Sequence, residues 1–232
     1  RDDSLAAASG EGICTMIEAN QITCLILCGG QGSRMSGVDK PLLDIDFAGQ
    51  CQPMVDHVIA TLPQASALVI SANRNLSEYR QRAAVTTDSE TGLRAEGPLV
   101  GIYAGLKWAQ TPWLLVCPGD MPALPLNWHD VLRQKDLGQE GLVKNGLGQD
   151  EPVREPSNQN ESINPAPRVL HDGQRIQPLL SLLPKSALAS LSDHLTASKE
   201  PARLSVKNWL AAAGAKSMAA PQAVSPFSYG NI

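Results

Sequence analysis

The chain has 232 residues, long enough for one domain with a sizeable core, and its 43% hydrophobic and 18% charged content is that of an ordinary soluble globular protein. A formal net charge of −4 leaves no global field that would draw in nucleic acid or an anionic membrane, and no apolar run approaches membrane-spanning length. Residues 1–21 are polar and small at their start and lack a basic leader and an apolar core, so they are no secretory signal. They read as a disordered or non-native extension, with Met16 a candidate initiator, and the domain is expected over 22–232. Residues 22–28 form an apolar run, a buried strand. Met54, Val55, Val58, Ile59 and Leu62 have helical spacing over 53–62. A strand follows at 67–70, a helix at 76–84, a short strand at 85–87, a helix opening on Pro98 over 98–109, and a buried strand at 113–117. Strands alternating with helices predict an α/β protein with a doubly wound, mostly parallel sheet. The stretch 146–165 is rich in Gly, Gln, Asn, Glu and Pro and reads as a disordered insertion. An antiparallel pair is expected at 168–171 and 177–183 across the turn Asp172–Gly173, then helices over 184–195 and 201–213.

The first strand runs into Gly29, Gly30 and Gly32, with Arg34, Gly37 and Lys40 beyond. Glycines after a strand expose backbone N–H groups that can cradle phosphate, and Arg34 and Lys40 add positive charge to the same place. The dinucleotide fingerprint G-x-G-x-x-G fails here, because Met35 stands where its third glycine belongs. A P-loop also fails, because Lys40 lies between Asp39 and Pro41. Polar groups stand at three further strand ends: Ser71 and Asn73 after the second strand, Asp88 after the third, Asp120 after 113–117. Taken singly, each is an ordinary cap or turn residue. Together they sit where ligands bind in open parallel sheets, beyond the carboxyl ends of the strands. Asp120, in C-P-G-D-M-P, is the candidate ligand for a hard cation such as Mg²⁺.

Five cysteines with no C-x-x-C pair point to reduced thiols and a cytoplasmic protein. Cys28 abuts the glycine loop, but no histidine lies nearby in sequence to activate it. His57 is expected on a core helix, and His129 and His194 on solvated faces.

The stretch LCGGQGSRMSGVDKPLL resembles the L-x-G-G-x-x-x-R-M-G-G-x-D-K-x-L signature of the molybdenum cofactor guanylyltransferases, within the wider MobA-like nucleotidyltransferases. Asp39–Lys40 is its specific part, since relatives that make sugar nucleotides or cytidylyl isoprenoids usually carry Pro–Lys there. Ser36 departs from the pattern, where glycine is usual. The resemblance runs from about residue 22 to 120, resumes weakly at 171–183, and leaves a trace at 227–232, from which a truncated C-terminus is expected. It implies a single-domain, three-layer, Rossmann-like nucleotidyltransferase fold and transfer of GMP from GTP to molybdopterin with loss of pyrophosphate. By the same resemblance Arg34, Lys40 and Asp120 carry the chemistry. Leu27, Cys28, Gly29, Gly30, Lys40, Ser71, Asn73, Asp88, Gly97, Pro98 and Asp120 hold the nucleotide, with Mg²⁺ on Asp120. Asp172–Gly173–Gln174–Arg175 and Gln177–Pro178 lie toward the pterin. The implied partners are GTP and molybdopterin, with cofactor-handover proteins or molybdoenzyme chaperones, and no nucleic acid or membrane. Two alternatives stay open: a cytidylyltransferase of the same fold, and a non-catalytic nucleotide- or cofactor-binding protein.

Overall fold

The computed structural model describes residues 16–28, 38–93, 95, 97–135, 165–197 and 205–220. Gly29, Gly30, Arg34 and all but the last residue of the expected insertion at 146–165 therefore lie outside the described residues, as does the C-terminal stretch 221–232. Strands β1 (Ile22–Leu27), β4 (Ala67–Ser71), β5 (Ala84–Thr86) and β6 (Trp113–Pro118) are the apolar runs read from the sequence. Strands β7 (Arg168–His171), β8 (Ile176–Pro184) and β9 (Lys216–Ala219) complete a seven-stranded sheet in the order β5-β4-β1-β6-β8-β7-β9. The first four of these run parallel, β8 is antiparallel to both neighbours, and β9 is parallel to β7.

Alternation along β1 divides the core into two layers. Cys24 and Ile26, with Cys28 just beyond, face the layer built from α1 (Met54–Ala60), α2 (Leu76–Arg80) and α4 (Asp130–Arg133). Leu25 and Leu27 face the layer built from α3 (Pro98–Trp108), α5 (Ala187–Ala197) and α6 (Val206–Ala212). The expected α/β fold with a mostly parallel sheet is the observed one. The helix expected over 76–84 is shorter, because the chain must turn at 81–83 to enter β5.

Helix α3 lies unusually close to the sheet. A Cβ on Gly101 would stand 2.7 Å from Ser71 Oγ and 2.9 Å from Leu27 Cδ2, and one on Gly105 would stand 2.6 Å from Leu25 Cδ2. Leu25 is fully buried, so it could yield only by displacing its own neighbours. In Gly105→Val the overpacking cost of about 1–3 kcal/mol outweighs the ~0.3 kcal/mol that valine recovers over glycine in a helix. A lower urea midpoint is expected; an unchanged one would show that α3 can back away from β1.

Two elements had no clear sequence signal. Strands β2 (Asp44–Phe47) and β3 (Gln50–Pro53) form an antiparallel hairpin closed by Ala48 (φ 54°) and Gly49 (φ 77°). Both turn residues are left-handed, as a two-residue hairpin requires, but alanine at the first hides the turn. Residues 16–21 also join the domain: Ile17 is buried, its N–H donates to Arg133 O at 2.7 Å, and Arg133 Nε donates to Ile17 O. Described packing thus begins at Met16 rather than at Ile22. His129 is a correction to the solvated placement: it is buried beside Trp128, its Nδ1 3.1 Å from Asp130 Oδ1. Among the described residues no helix is long and apolar enough to cross a membrane.

Candidate active site

The four parallel strands end in line. Leu27 pairs in register with Ser71 on one side and Pro118 on the other, and Ser71 pairs with Thr86. The ladder continues one residue past each end: Cys28 N–H donates to Ser71 O, Ala72 N–H to Thr86 O, and Gly119 N–H to Leu27 O, all at 2.9–3.1 Å. These bonds fix where each loop leaves the sheet, so side chains just beyond have defined starting points.

Asp120 follows Gly119 directly. The carboxylate is half-buried, and burial raises its pKa above the ordinary value, against the pull of its own backbone N–H and of Lys40. The structure thus brings Lys40 within electrostatic reach of Asp120 although they are far apart in sequence. The bridge is Pro41. It is buried, and its Cβ lies 3.3 Å from where a Cβ on Gly119 would stand. Glycine at 119 is what allows the Lys40–Pro41 turn, a short 3₁₀ segment Lys40–Leu42, to sit against the end of β6.

On the β4–β5 side, Asn73 and Asp88 clasp each other. Asn73 Nδ2 donates to Asp88 Oδ2 and Asp88 N–H donates to Asn73 Oδ1, both at 2.8 Å. Asp88 opens a 3₁₀ turn whose capping box joins Thr87 and Glu90, a Thr-x-x-Glu pattern legible in the sequence. Gly97 caps α3 at φ 106°, a conformation that favours glycine, and Pro98 occupies the first turn. Because Gly101 meets Leu27 and Gly105 meets Leu25, the α3 N-terminus points to the carboxyl edge of the sheet, where the positive end of its dipole favours an anion.

Two polar side chains at this rim, Ser71 and Cys28, turn into the fold, which leaves the expected backbone contact at Cys28 untouched. The Ser71 side chain is buried against the Gly101 face of α3, so it offers no open hydroxyl to a base. The Cys28 thiol is buried toward Gly119 and Tyr79, and burial pushes its pKa up, which rules it out as a thiolate nucleophile.

Strand β8 reaches the same edge. It runs antiparallel to β6 and begins five residues before Ser181, the partner of Val116, so Ile176–Leu180 extend past the last β6 pair toward the site. A bulge there lets Val169 pair with Ser181 and Leu170 with Gln177. The preceding turn is held by Asp172, whose Oδ1 accepts from the N–H groups of Gln174 and Arg175 and whose Oδ2 accepts from Gln177 Nε2. Desolvation acts upward on this carboxyl, but those donors hold it below the usual range. Asp172 is therefore a turn-builder, and Gln174 and Arg175 are the exposed side chains that the turn presents.

Sequence reasoning missed Asp39 as an anchor, together with Arg74, Asn75 and Tyr79, which surround it. Asn75, just before α2, has a left-handed backbone (φ 49°) and turns its amide to Asp39.

The family model of the MobA-like NTP transferase domain matches residues 24–213, which include every strand of this edge. The chain belongs to that family. Within it, the chain is 37% identical over 184 residues to a molybdenum cofactor guanylyltransferase of Cupriavidus taiwanensis, covering 78% of this chain and 79% of that one. It is 34% identical over 181 residues to the protein of the same name from Photobacterium profundum, covering 78% and 77%. The fold matches that of molybdopterin-guanine dinucleotide biosynthesis protein A from Archaeoglobus fulgidus, with a TM-score of 0.53 at 17% identity over 85% of this chain and 83% of that one. It also matches the 4-diphosphocytidyl-2C-methyl-D-erythritol synthase from Anaerococcus prevotii, with a TM-score of 0.53 at 12% identity over 92% and 91%. Solved structures whose names point to guanine and to cytidyl products thus share this fold, and the fold alone does not choose between them.

Proposed function

We propose that this protein transfers GMP from GTP to the terminal phosphate of molybdopterin, forming the guanine dinucleotide cofactor and pyrophosphate. The carrying observation is the Lys40–Leu42 turn seated through Pro41 against Gly119, which brings Lys40 within electrostatic reach of Asp120 at the carboxyl edge of a MobA-like sheet, and the guanine and pterin assignments come from the guanylyltransferase relatives. An oxygen of the acceptor phosphate attacks the α-phosphorus of GTP, and the bond from that phosphorus to the bridging oxygen of the β-phosphate breaks. The nucleophile is already ionised near neutral pH, so no side chain has to remove a proton. Lys40, with Arg34 of the glycine loop, offsets the charge that grows on the departing pyrophosphate. The Asn73–Asp88 clasp fixes one wall near the base and ribose, the α3 N-terminus favours phosphate, and Arg175 on the β7–β8 turn offers a cation to the acceptor.

Among the described residues no three His, Cys, Asp or Glu side chains cluster as an all-protein metal cage. One half-buried carboxylate, whose ionisation burial opposes, fits an ion that takes one or two protein carboxylates and completes its shell with water and phosphate, which is the habit of Mg²⁺. Asp120 would hold it. Bound there, magnesium supplies positive charge to the nucleotide phosphates.

Guanine presents N1–H and a 2-amino group that cytosine lacks, so acceptors built for guanine are left unpaired by cytosine, at ~1–3 kcal/mol for each buried group. GTP is expected to exceed CTP by at least about tenfold in kcat/KM. Steady-state pyrophosphate release with each nucleotide, at equal magnesium and molybdopterin, decides this. Equal rates or a CTP preference would move the protein to cytidylyl transfer. No release with either nucleotide, despite binding, would favour a non-catalytic binder.

A further inference from the structure

Asp39 precedes the phosphate-facing lysine, yet it is buried at 8% exposure. Its Oδ2 accepts from Asn75 Nδ2 at 2.9 Å and lies 3.7 Å from Arg74 Nε. Arg74 reaches past it to donate from Nη2 to Val38 O at 3.1 Å. The fully buried Tyr79 hydroxyl lies beside the same carboxylate and the Cys28 thiol, and burial pushes its pKa up. Burying a carboxylate among these groups costs free energy unless it is paired, and its observed partners, Arg74 and Asn75, both come from the loop after β4. Pro41, on the other side of Lys40, is buried against Gly119 at the end of β6. The backbone between the two anchors is a tight turn: Leu42 N–H donates to Asp39 O at 3.0 Å and Leu43 N–H donates to Lys40 O at 2.9 Å.

We infer that Asp39 is a positioning residue: with Arg74 and Asn75 it latches the segment 38–43 to the β4–α2 loop, and with Pro41 it fixes the backbone from which Lys40 projects. Lys40 is thus held from both flanks, one tied to β4 and the other to β6, and its reach is set by contacts made 36 residues away in sequence. The lysine need not spend binding energy on ordering its own backbone when nucleotide arrives. This inference rests on the nucleotidyl-transfer reading for Lys40, but its structural half does not.

Two measurements test it on the full chain. Amide hydrogen exchange of the nucleotide-free protein should show Leu42 and Leu43 exchanging at least tenfold faster in Asp39→Ala, with Leu25 and Val116 in the core strands unchanged. Asn75→Ala should give the same local acceleration, and Asp39→Asn, which keeps an acceptor for Asn75 but loses the charge, an intermediate one. If Asp39→Ala loosens the core strands too, Asn75→Ala carries this arm, and unchanged Leu42 and Leu43 exchange in it would overturn the latch. In GTP titrations Asp39→Ala should weaken binding at least tenfold, but less than twofold when Lys40→Ala is already present, because Asp39 acts through Lys40. Equal losses in both backgrounds would overturn the positioning role. Wild-type protein that binds GTP through this arrangement yet transfers nothing would refute the transferase reading and leave the latch standing.

Discussion

Asp120→Ala is expected to lower turnover by about three orders of magnitude, corresponding to about 4 kcal/mol of barrier, while leaving the fold intact. The carboxylate sits on the turn that follows Gly119, half-buried, and core packing does not depend on it. Its folded-state pKa lies above the ordinary carboxylate value because of burial. A carboxyl raised in this way costs stability at neutral pH: the folded state binds its proton more readily, so that stability is present in acid and lost as pH rises through the raised pKa. Removing the group should therefore hold or slightly raise the neutral-pH melting temperature of the ligand-free protein while abolishing transfer. The same sign governs activity, which should fall in wild type as mild acid protonates Asp120. Wild-type-like pyrophosphate release by Asp120→Ala at saturating magnesium would remove it from the mechanism. A collapse in melting temperature would make it a structural residue.

Lys40→Ala is expected to weaken GTP binding by ~1.5–3 kcal/mol, the range of a charge-assisted hydrogen bond, which is roughly 10- to 150-fold. GMP should lose far less, since it lacks the β- and γ-phosphates that the lysine is proposed to face. Titrating wild type and Lys40→Ala with GMP, GDP and GTP separates the phosphates. Equal losses for all three would place Lys40 elsewhere in the site. Because Lys40 also pulls the Asp120 carboxyl downward, its removal should shift the acid limb of any residual activity to higher pH.

Much of the site edge was legible because parallel strands announce themselves. Continuous apolar runs such as 22–28 and 113–117 have few other uses in a chain of this length, and whatever follows their carboxyl ends is delivered to one rim. Lys40, Asp88 and Asp120 could therefore be picked out, and the Asp39–Lys40 pair narrowed the family. Ser71 shows the limit of the same reasoning. Being the last residue of a strand places a side chain at the rim, but on which face it points depends on register. Here register turns Ser71 toward α3, where Gly101 leaves just enough space for it. His129 failed for a related reason: a polar residue beside Trp128 looks solvent-facing until the packing of 128–132 under the sheet is known.

The amino-acid sequence by itself determined the alternation of strand and helix, the two-sided core and the strand ends that share one rim, since all of these follow from local periodicity and the chirality of parallel crossovers. The tertiary structure alone decided the place of β8 beside β6 and its bulge at the rim, the hairpin of β2 and β3, the inward turn of Ser71, and above all the anchoring of Lys40 between Asp39 and Pro41. These depend on contacts between segments distant in the chain. A buried carboxylate, an amide before a one-turn helix and a glycine after a strand are each unremarkable in sequence. Only when the sheet sets β4 and β6 on either side of β1 do they close around one lysine.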